Sequence, residues 1–107
     1  NGFWTEKEGN IVFKGNYNNG AKAGEWKGFY ENNEVYFIGN FLQGNPDGKH
    51  VFYNQNGIVR EVQYYSNGLK VGNWTKYNED GSIKIIITYK NDKEYMVNGF
   101  KIEKIGK

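Results

Sequence analysis

The fold of this chain is decided by a stretch of sequence that occurs three times. Residues 67–81 read NGLKVGNWTKYNEDG, residues 43–57 read QGNPDGKHVFYNQNG, and residues 19–33 read NGAKAGEWKGFYENN. The three segments start 24 residues apart, with no insertion between them. A fixed period of roughly 20 to 50 residues is the signature of a repeat array, so the chain is predicted to be one.

Glycines and large aromatic residues keep this period most strictly. The structural repeat positions are Gly24, Gly48, Gly72, Trp26, Trp74, Phe41, Tyr65 and Tyr89. His50 replaces the tryptophan of the middle unit. The sequence therefore predicts a single domain over residues 1–107, with repeats at about 1–23, 24–47, 48–71 and 72–95.

Each unit contains two runs rich in aromatic and β-branched residues, separated by polar turns. Asn-Gly and Asp-Gly supply the positive φ that tight hairpin turns need. We therefore predict an all-β protein, in which about four 24-residue β-hairpins form an elongated, twisted antiparallel meander. EYMV at 94–97 and FKIEKI at 100–105 predict a capping hairpin over 94–107. The N-terminal edge has no comparable cap, which is compatible with a fragment of a longer array.

The longer run of each unit has apolar residues three positions apart, as in Val35, Ile38 and Phe41. A flat strand alternates its side chains with period two. The spacing predicts either a sheet that is apolar on both faces or a strand that a bulge bends.

Composition excludes several functions. The chain has no cysteine, which excludes disulfides and thiol catalysis. Its net charge is +2, its lysines are scattered along the sequence, and Arg60 is the only arginine. Nucleic-acid readers favour arginine and clustered charge, so no nucleic-acid partner is expected. The same scatter argues against binding to a membrane surface.

No arrangement of residues predicts catalysis. His50 is the only histidine, which does not suffice for the usual zinc site. Ser66, Ser82 and the pair Glu79–Asp80 lie in predicted turns. We expect no enzyme activity, no metal site and no cofactor. The Asn, Lys, Ile and Tyr content is typical of a low-GC bacterium, and the compartment stays open between cytoplasm and export after loss of a signal segment.

The repeated segments resemble the MORN repeat. The matching stretches are GEWKGFYENNEV at 24–35, GKHVFYNQNGIV at 48–59 and GNWTKYNEDGSI at 72–83. They are most similar to the bacterial variant in proteins named YwqK-type antitoxins. The resemblance implies an elongated sheet of hairpins that binds proteins, with an antitoxin or immunity-like role as the sharper form. It implies no catalytic residues.

Four tyrosines are the candidate partner-binding residues: Tyr30, Tyr36, Tyr53 and Tyr64. Tyrosine gives large rigid contact area at low entropy cost and is enriched at protein interfaces. The four are predicted to form an exposed stripe, or else to cover neighbouring hairpins. The alternative function is a carbohydrate or cell-wall binding module, in which exposed aromatics stack on sugar rings. The oligomeric state stays open.

Overall fold

A computed structural model describes residues 2–101, which form one antiparallel sheet and contain no helix. Its strands are β1 (Gly2–Glu8), β2 (Ile11–Asn18), β3 (Ala21–Phe29), β4 (Val35–Leu42), β5 (Asn45–Pro46), β6 (Gly48–Tyr53), β7 (Val59–Ser66), β8 (Leu69–Lys70), β9 (Gly72–Tyr77), β10 (Ile83–Lys90), β11 (Lys93–Val97) and β12 (Phe100–Lys101). The sheet follows chain order, except that the short strands β5 and β8 pair only with β4 and β7. It measures 50 × 35 × 19 Å. The predicted all-β hairpin array is confirmed.

The turns along one edge have positive φ at both central residues. These turns are Asn19–Gly20, Gln43–Gly44, Asn67–Gly68 and Asn91–Asp92. Two positive φ values give a type I′ turn, whose twist matches that of the strands. Successive turns are also hydrogen-bonded to each other: the amide of Gly44 donates to the carbonyl of Lys22, and that of Gly68 to Pro46, at 2.9 and 2.8 Å.

Along the opposite edge, the turns β3–β4, β6–β7 and β9–β10 need positive φ at one residue only. Gly57 and Gly81 supply it in two of them, and Asn33 supplies it in the third with a φ of 70°. Asparagine tolerates this conformation better than most residues do. A side-chain oxygen one residue earlier, as in Asn32, accepts the amide of Glu34 at 3.0 Å. Asn33 can therefore replace the repeat glycine without loss of the turn.

A bulge near the start of each longer strand explains the apolar spacing of three. Phe29 pairs with Val35 and Gly28 pairs with Phe37, so Tyr36 is the extra residue. The bulge puts Val35 and Ile38 on the same face of the sheet. The three residues from Ile38 to Phe41 contain no bulge, and strand alternation puts these two on opposite faces. Both predicted alternatives therefore hold: the strands are bulged, and the sheet is apolar on both faces.

The C-terminal hairpin is present as far as Lys101. β11 pairs with β12 across Asn98 and Gly99, which both have positive φ. The side-chain oxygen of Asn98 accepts the amide of Ile86 at 2.8 Å and ties the hairpin to β10. The remainder of the predicted cap, residues 102–107, lies outside the described residues, as does residue 1.

A row of eight aromatic rings crosses one face of the sheet, which we call the ladder face. Its members, in order, are Trp4, Tyr17, Trp26, Phe41, His50, Tyr65, Trp74 and Tyr89. Consecutive ring centroids are 5.0 to 6.5 Å apart, mostly edge to face. Such pairs contribute about 0.5–1.5 kcal/mol each beyond their buried area. Trp26, His50 and Trp74 are almost wholly buried.

Three ladder residues make the same hydrogen bond in three successive units. The indole Nε1 of Trp26 donates to the carbonyl of Asn16 at 3.0 Å, and that of Trp74 donates to Tyr64 at 2.9 Å. His50 Nε2 lies 2.8 Å from the carbonyl of Asn40. A carbonyl only accepts, so Nε2 carries the proton. His50 therefore replaces tryptophan in both packing and hydrogen bonding.

The ladder needs glycine beneath it where a ring lies on the backbone. A Cβ added at Gly15 would lie 2.1 Å from a ring atom of Trp26, and one at Gly39 would lie 2.5 Å from His50 Nδ1. No real Cβ tolerates such distances. These glycines are required by close approach and not by a turn.

Gly15→Ala is expected to destabilise the fold by about 3 kcal/mol, because Trp26 must leave its position and overpacking has this order of cost. Chemical denaturation followed by tryptophan fluorescence would measure it. Gly57→Asn is the matched control: it has open space around it, and Asn33 already occupies the equivalent position. Its expected cost is about 1 kcal/mol or less. Equal losses for the two variants would contradict the account of Gly15.

Burial lowers the pKa of His50 below its usual value of 6.5. The unfolded chain therefore binds a proton more readily than the folded chain does. The stability that depends on neutral His50 is complete above about pH 6.5 and is lost as pH falls, at a rate of at most about 1.4 kcal/mol per pH unit. His50→Trp keeps the N–H donor and does not titrate. The difference in unfolding free energy between wild type and His50→Trp should change between pH 7 and 5, and a pH-independent difference would contradict this.

Candidate functional site

Four of the eight ladder rings have a lysine of the chain over them. The ammonium of Lys22 lies 4.8 and 5.2 Å from the ring centroids of Trp26 and Phe41. Lys70 makes the same contacts with Trp74 and Tyr89, at 4.9 and 5.1 Å. Burial also raises the pKa of the Tyr89 hydroxyl. Stacking on a sugar needs an open ring face. Trp4 at the end of the row is half exposed and the other seven rings are buried or half-buried, so the row does not present a line of open rings to a carbohydrate.

The four candidate tyrosines do not form one exposed stripe. Tyr36 lies at a bulge on the ladder face, where its ring contacts those of Phe13, Tyr30 and Phe52 at 5.3 to 6.3 Å. The hydroxyl of Tyr30 donates to the carbonyl of Tyr53 at 2.6 Å. All four side chains are half-buried. The interpretation as a single stripe is wrong, because packing against neighbouring hairpins holds Tyr30 and Tyr36.

Tyr53 and Tyr64 lie on the opposite face, because strand alternation separates them from Phe52 and Tyr65, which are on the ladder face. Tyr53 lines a groove with Val35 and Ile38, and Tyr64 lines another. The structure therefore places Tyr36 in the ladder-face packing and Tyr53 and Tyr64 in surface grooves. Tyr30 does both, since its ring contacts Tyr36 and it also lines a groove on the opposite side, beside Lys14.

The face opposite the ladder has no covering layer among the described residues, and we call it the open face. One row of side chains crosses it in register from β1 to β10, which we call the central row: Thr5, Lys14, Lys27, Ile38, Val51, Val62, Thr75 and Ile86. The row begins polar and basic, and continues apolar. Cross-strand neighbours in register are about 5 Å apart, so the three consecutive apolar members, Ile38, Val51 and Val62, form a continuous strip.

Three grooves lie on the open face. The first has a volume of about 760 Å³ and includes Lys7, Lys14 and Phe29 in its lining. A groove of about 330 Å³ includes Ile38 and Tyr53, and one of about 500 Å³ includes Lys49, Val62 and Tyr64. The open face thus offers concave, partly apolar surface along most of the sheet.

Charge is distributed unequally between the two faces. The exposed lysines whose side chains lie on the open face include Lys7, Lys14, Lys27 and Lys49. Among the acidic residues in strands within residues 2–101, alternation puts only Glu25 on the open face with these lysines. Glu31 and Glu34 lie in a turn at the edge of the sheet. The ladder face mixes both signs, with Glu6, Glu8, Glu61 and Glu94 against Lys22, Lys70 and Lys76. The open face is therefore basic.

The clustering of these lysines on one face is not apparent in the linear sequence, because the lysines are scattered along it. The signal that could have revealed it is strand parity. Lys27 follows the ladder residue Trp26, and Lys49 precedes the ladder residue His50. Adjacent residues of a strand point to opposite faces, so both lysines belong on the face away from the rings.

The described part of the chain contains no cluster of side chains that would hold a metal ion. No group of three or more His, Cys, Asp or Glu side chains that could hold a metal occurs in residues 2–101. Across the same residues, no helix has the length and apolar character required to cross a membrane.

Comparison with known proteins gives one family. The family model described as a MORN repeat variant matches residues 22–43, 46–68 and 70–91, which together make up more than half of the chain. The matches contain the strand pairs β3–β4, β6–β7 and β9–β10 almost completely. No curated protein matches the chain.

Proposed function

The chain belongs to the MORN repeat variant family, whose repeats are generally involved in protein or membrane binding, and from this premise we propose that it is a non-catalytic module that binds a protein through its open face. The observation that carries the proposal is the apolar part of the central row. Ile38, Val51 and Val62 lie in register on β4, β6 and β7, and all three are half-buried, so part of each side chain stays accessible to a partner.

The ladder face supports the proposal by contrast. Its rings already bury one another, and burying them contributes to the fold itself. The apolar strip of the open face has no such partner among the described residues. Contiguous apolar surface of this kind is typical of a protein interaction site.

The shape of the open face favours a protein over a lipid surface. Ile38, Val62 and Tyr64 line grooves, which accept side chains that project from a partner. A bilayer instead receives bulky side chains that project into it. The exposed large apolar side chains lie in the first and last strands or beside turns, away from the strip: Phe3, Trp4, Leu42, Leu69, Ile83 and Phe100.

The resemblance to antitoxin-type proteins suggests a sharper form of the proposal. In that form the chain comes from a bacterium, the partner is a toxin, and the open face neutralises the toxin by covering part of its surface. This form adds a biological role to the same contact surface.

Ile38→Ser is expected to weaken binding of the protein partner by roughly tenfold or more, because it removes apolar area at the centre of the interface. Ile85→Ser is the matched control, since Ile85 is a half-buried isoleucine on the ladder face. Both variants should lose comparable stability. The partner would be captured from the native host by each protein and then purified for calorimetry.

A stoichiometric protein retained by Ile85→Ser and lost by Ile38→Ser is the expected result. Equal loss with both variants, or capture of glycan alone, would contradict the proposal. The antitoxin form requires one further result: co-expression of the wild type, and not of Ile38→Ser, should relieve growth arrest caused by the captured protein.

A further inference from the structure

The central row has a basic end and an apolar end. Lys14 and Lys27 are directly opposite each other on β2 and β3, and Lys27 is in turn opposite Ile38. From Ile38 the row continues with Val51 and Val62. A partner that lies along this row meets positive charge first and apolar surface next.

The lysine pair is unfavourable in the free protein. Like charges directly opposite each other on neighbouring strands destabilise a sheet. Lys14 has its ammonium 5.5 Å from the ring centroid of Phe29, which is a weak contact at an exposed site. Lys27 forms an ion pair with Glu25 at 3.8 Å, but both side chains are largely exposed, and such pairs contribute little. The sheet therefore has a repulsion that its own residues offset only weakly.

The adjoining groove adds a third lysine. Lys7 and Lys14 both line the groove of about 760 Å³, together with the polar side chains of Thr5 and Asn10. The only carboxylate in this lining is Glu31, which is in the turn at the rim. An anionic side chain in this groove would meet at least two ammonium groups.

We propose that the partner is a protein segment with carboxylates next to an apolar stretch. The carboxylates contact Lys7, Lys14 and Lys27, and the apolar stretch packs on Ile38, Val51 and Val62. The inference rests on the proposed function and adds the chemistry of the partner and its direction along the array. Charge complementarity of this kind sets orientation and raises the association rate.

An acidic protein fits better than the other anions. A nucleic acid presents phosphates along its whole length, whereas the row is basic over only two of its eight positions. An anionic lipid surface would attract the lysines, but it would leave Ile38 and Val62, which line grooves, without an apolar partner. Only a chain with carboxylates and apolar side chains side by side matches both ends.

The test is selection from a random peptide library displayed on phage, against the wild type and two charge-reversal variants. Lys14→Glu replaces a like-charge pair by an opposite pair with Lys27, so its unfolding midpoint should rise. The matched control is Lys76→Glu, which removes an opposite pair with Glu61 on the ladder face, so its midpoint should fall. Both variants change the net charge equally, and thermal melts establish that each is folded.

The wild type and Lys76→Glu should enrich peptides with Asp or Glu beside Val, Leu or Ile. Lys14→Glu should lose the preference for acidic peptides and bind the selected peptide about tenfold more weakly than the wild type does. Rising salt should weaken the binding of that peptide to the wild type, because salt screens the charge attraction. An apolar consensus without Asp or Glu, or equal affinity of Lys14→Glu, would overturn this inference alone. No consensus from any of the proteins, together with Lys14-dependent binding to phosphatidylserine vesicles, would overturn the proposed function as well.

Discussion

The constraint on which the rest of this structure depends is that the described sheet has a single layer. A sheet normally buries its apolar face against a second layer, and here the ring ladder takes that role. The rings follow one another from Trp4 to Tyr89, mostly edge to face, and the indole N–H groups of Trp26 and Trp74 reach backbone carbonyls. The period of 24 residues follows from this requirement, because every hairpin must deliver its rings to the same row. Close contact also fixes the glycines beneath the rings, of which Gly15 is the clearest case.

The ladder determines which face is left for a partner. Because one face is occupied by the protein's own aromatics, the binding capacity that we propose lies on the other. There the side chains alternate with the ladder residues, so the lysines and β-branched residues that follow or precede each ring are brought together. The result is a surface whose basic end and apolar end are distinct. Stability and binding are thus assigned to opposite faces of the same strands, which allows the open face to vary while the ladder stays constant.

Much of the fold could be predicted from the repeat, because Gly, Asn and the rings mark turns and strands at fixed intervals. Asn33 and Asp92 interrupt the glycine pattern, but both adopt positive φ and the turns persist. The faces of individual side chains were harder to predict. The bulge at Tyr36 depends on the register between β3 and β4, which one strand alone does not encode. For that reason residue type alone does not separate the four tyrosines, which lie on two faces. The lysine cluster, in contrast, is encoded by the strand parity of Lys27 and Lys49 relative to the neighbouring rings.

The most direct test of this division between faces is lysine acetylation footprinting, with and without the captured partner. Lys14, Lys27, Lys49 and Lys76 are all exposed in the free chain, and Lys76 is on the ladder face. Mass spectrometry would give the reactivity of each. We expect the partner to protect Lys14, Lys27 and Lys49 and to leave the reactivity of Lys76 unchanged. Protection of Lys76 with the other three still reactive would contradict it, since the partner would then lie on the ladder.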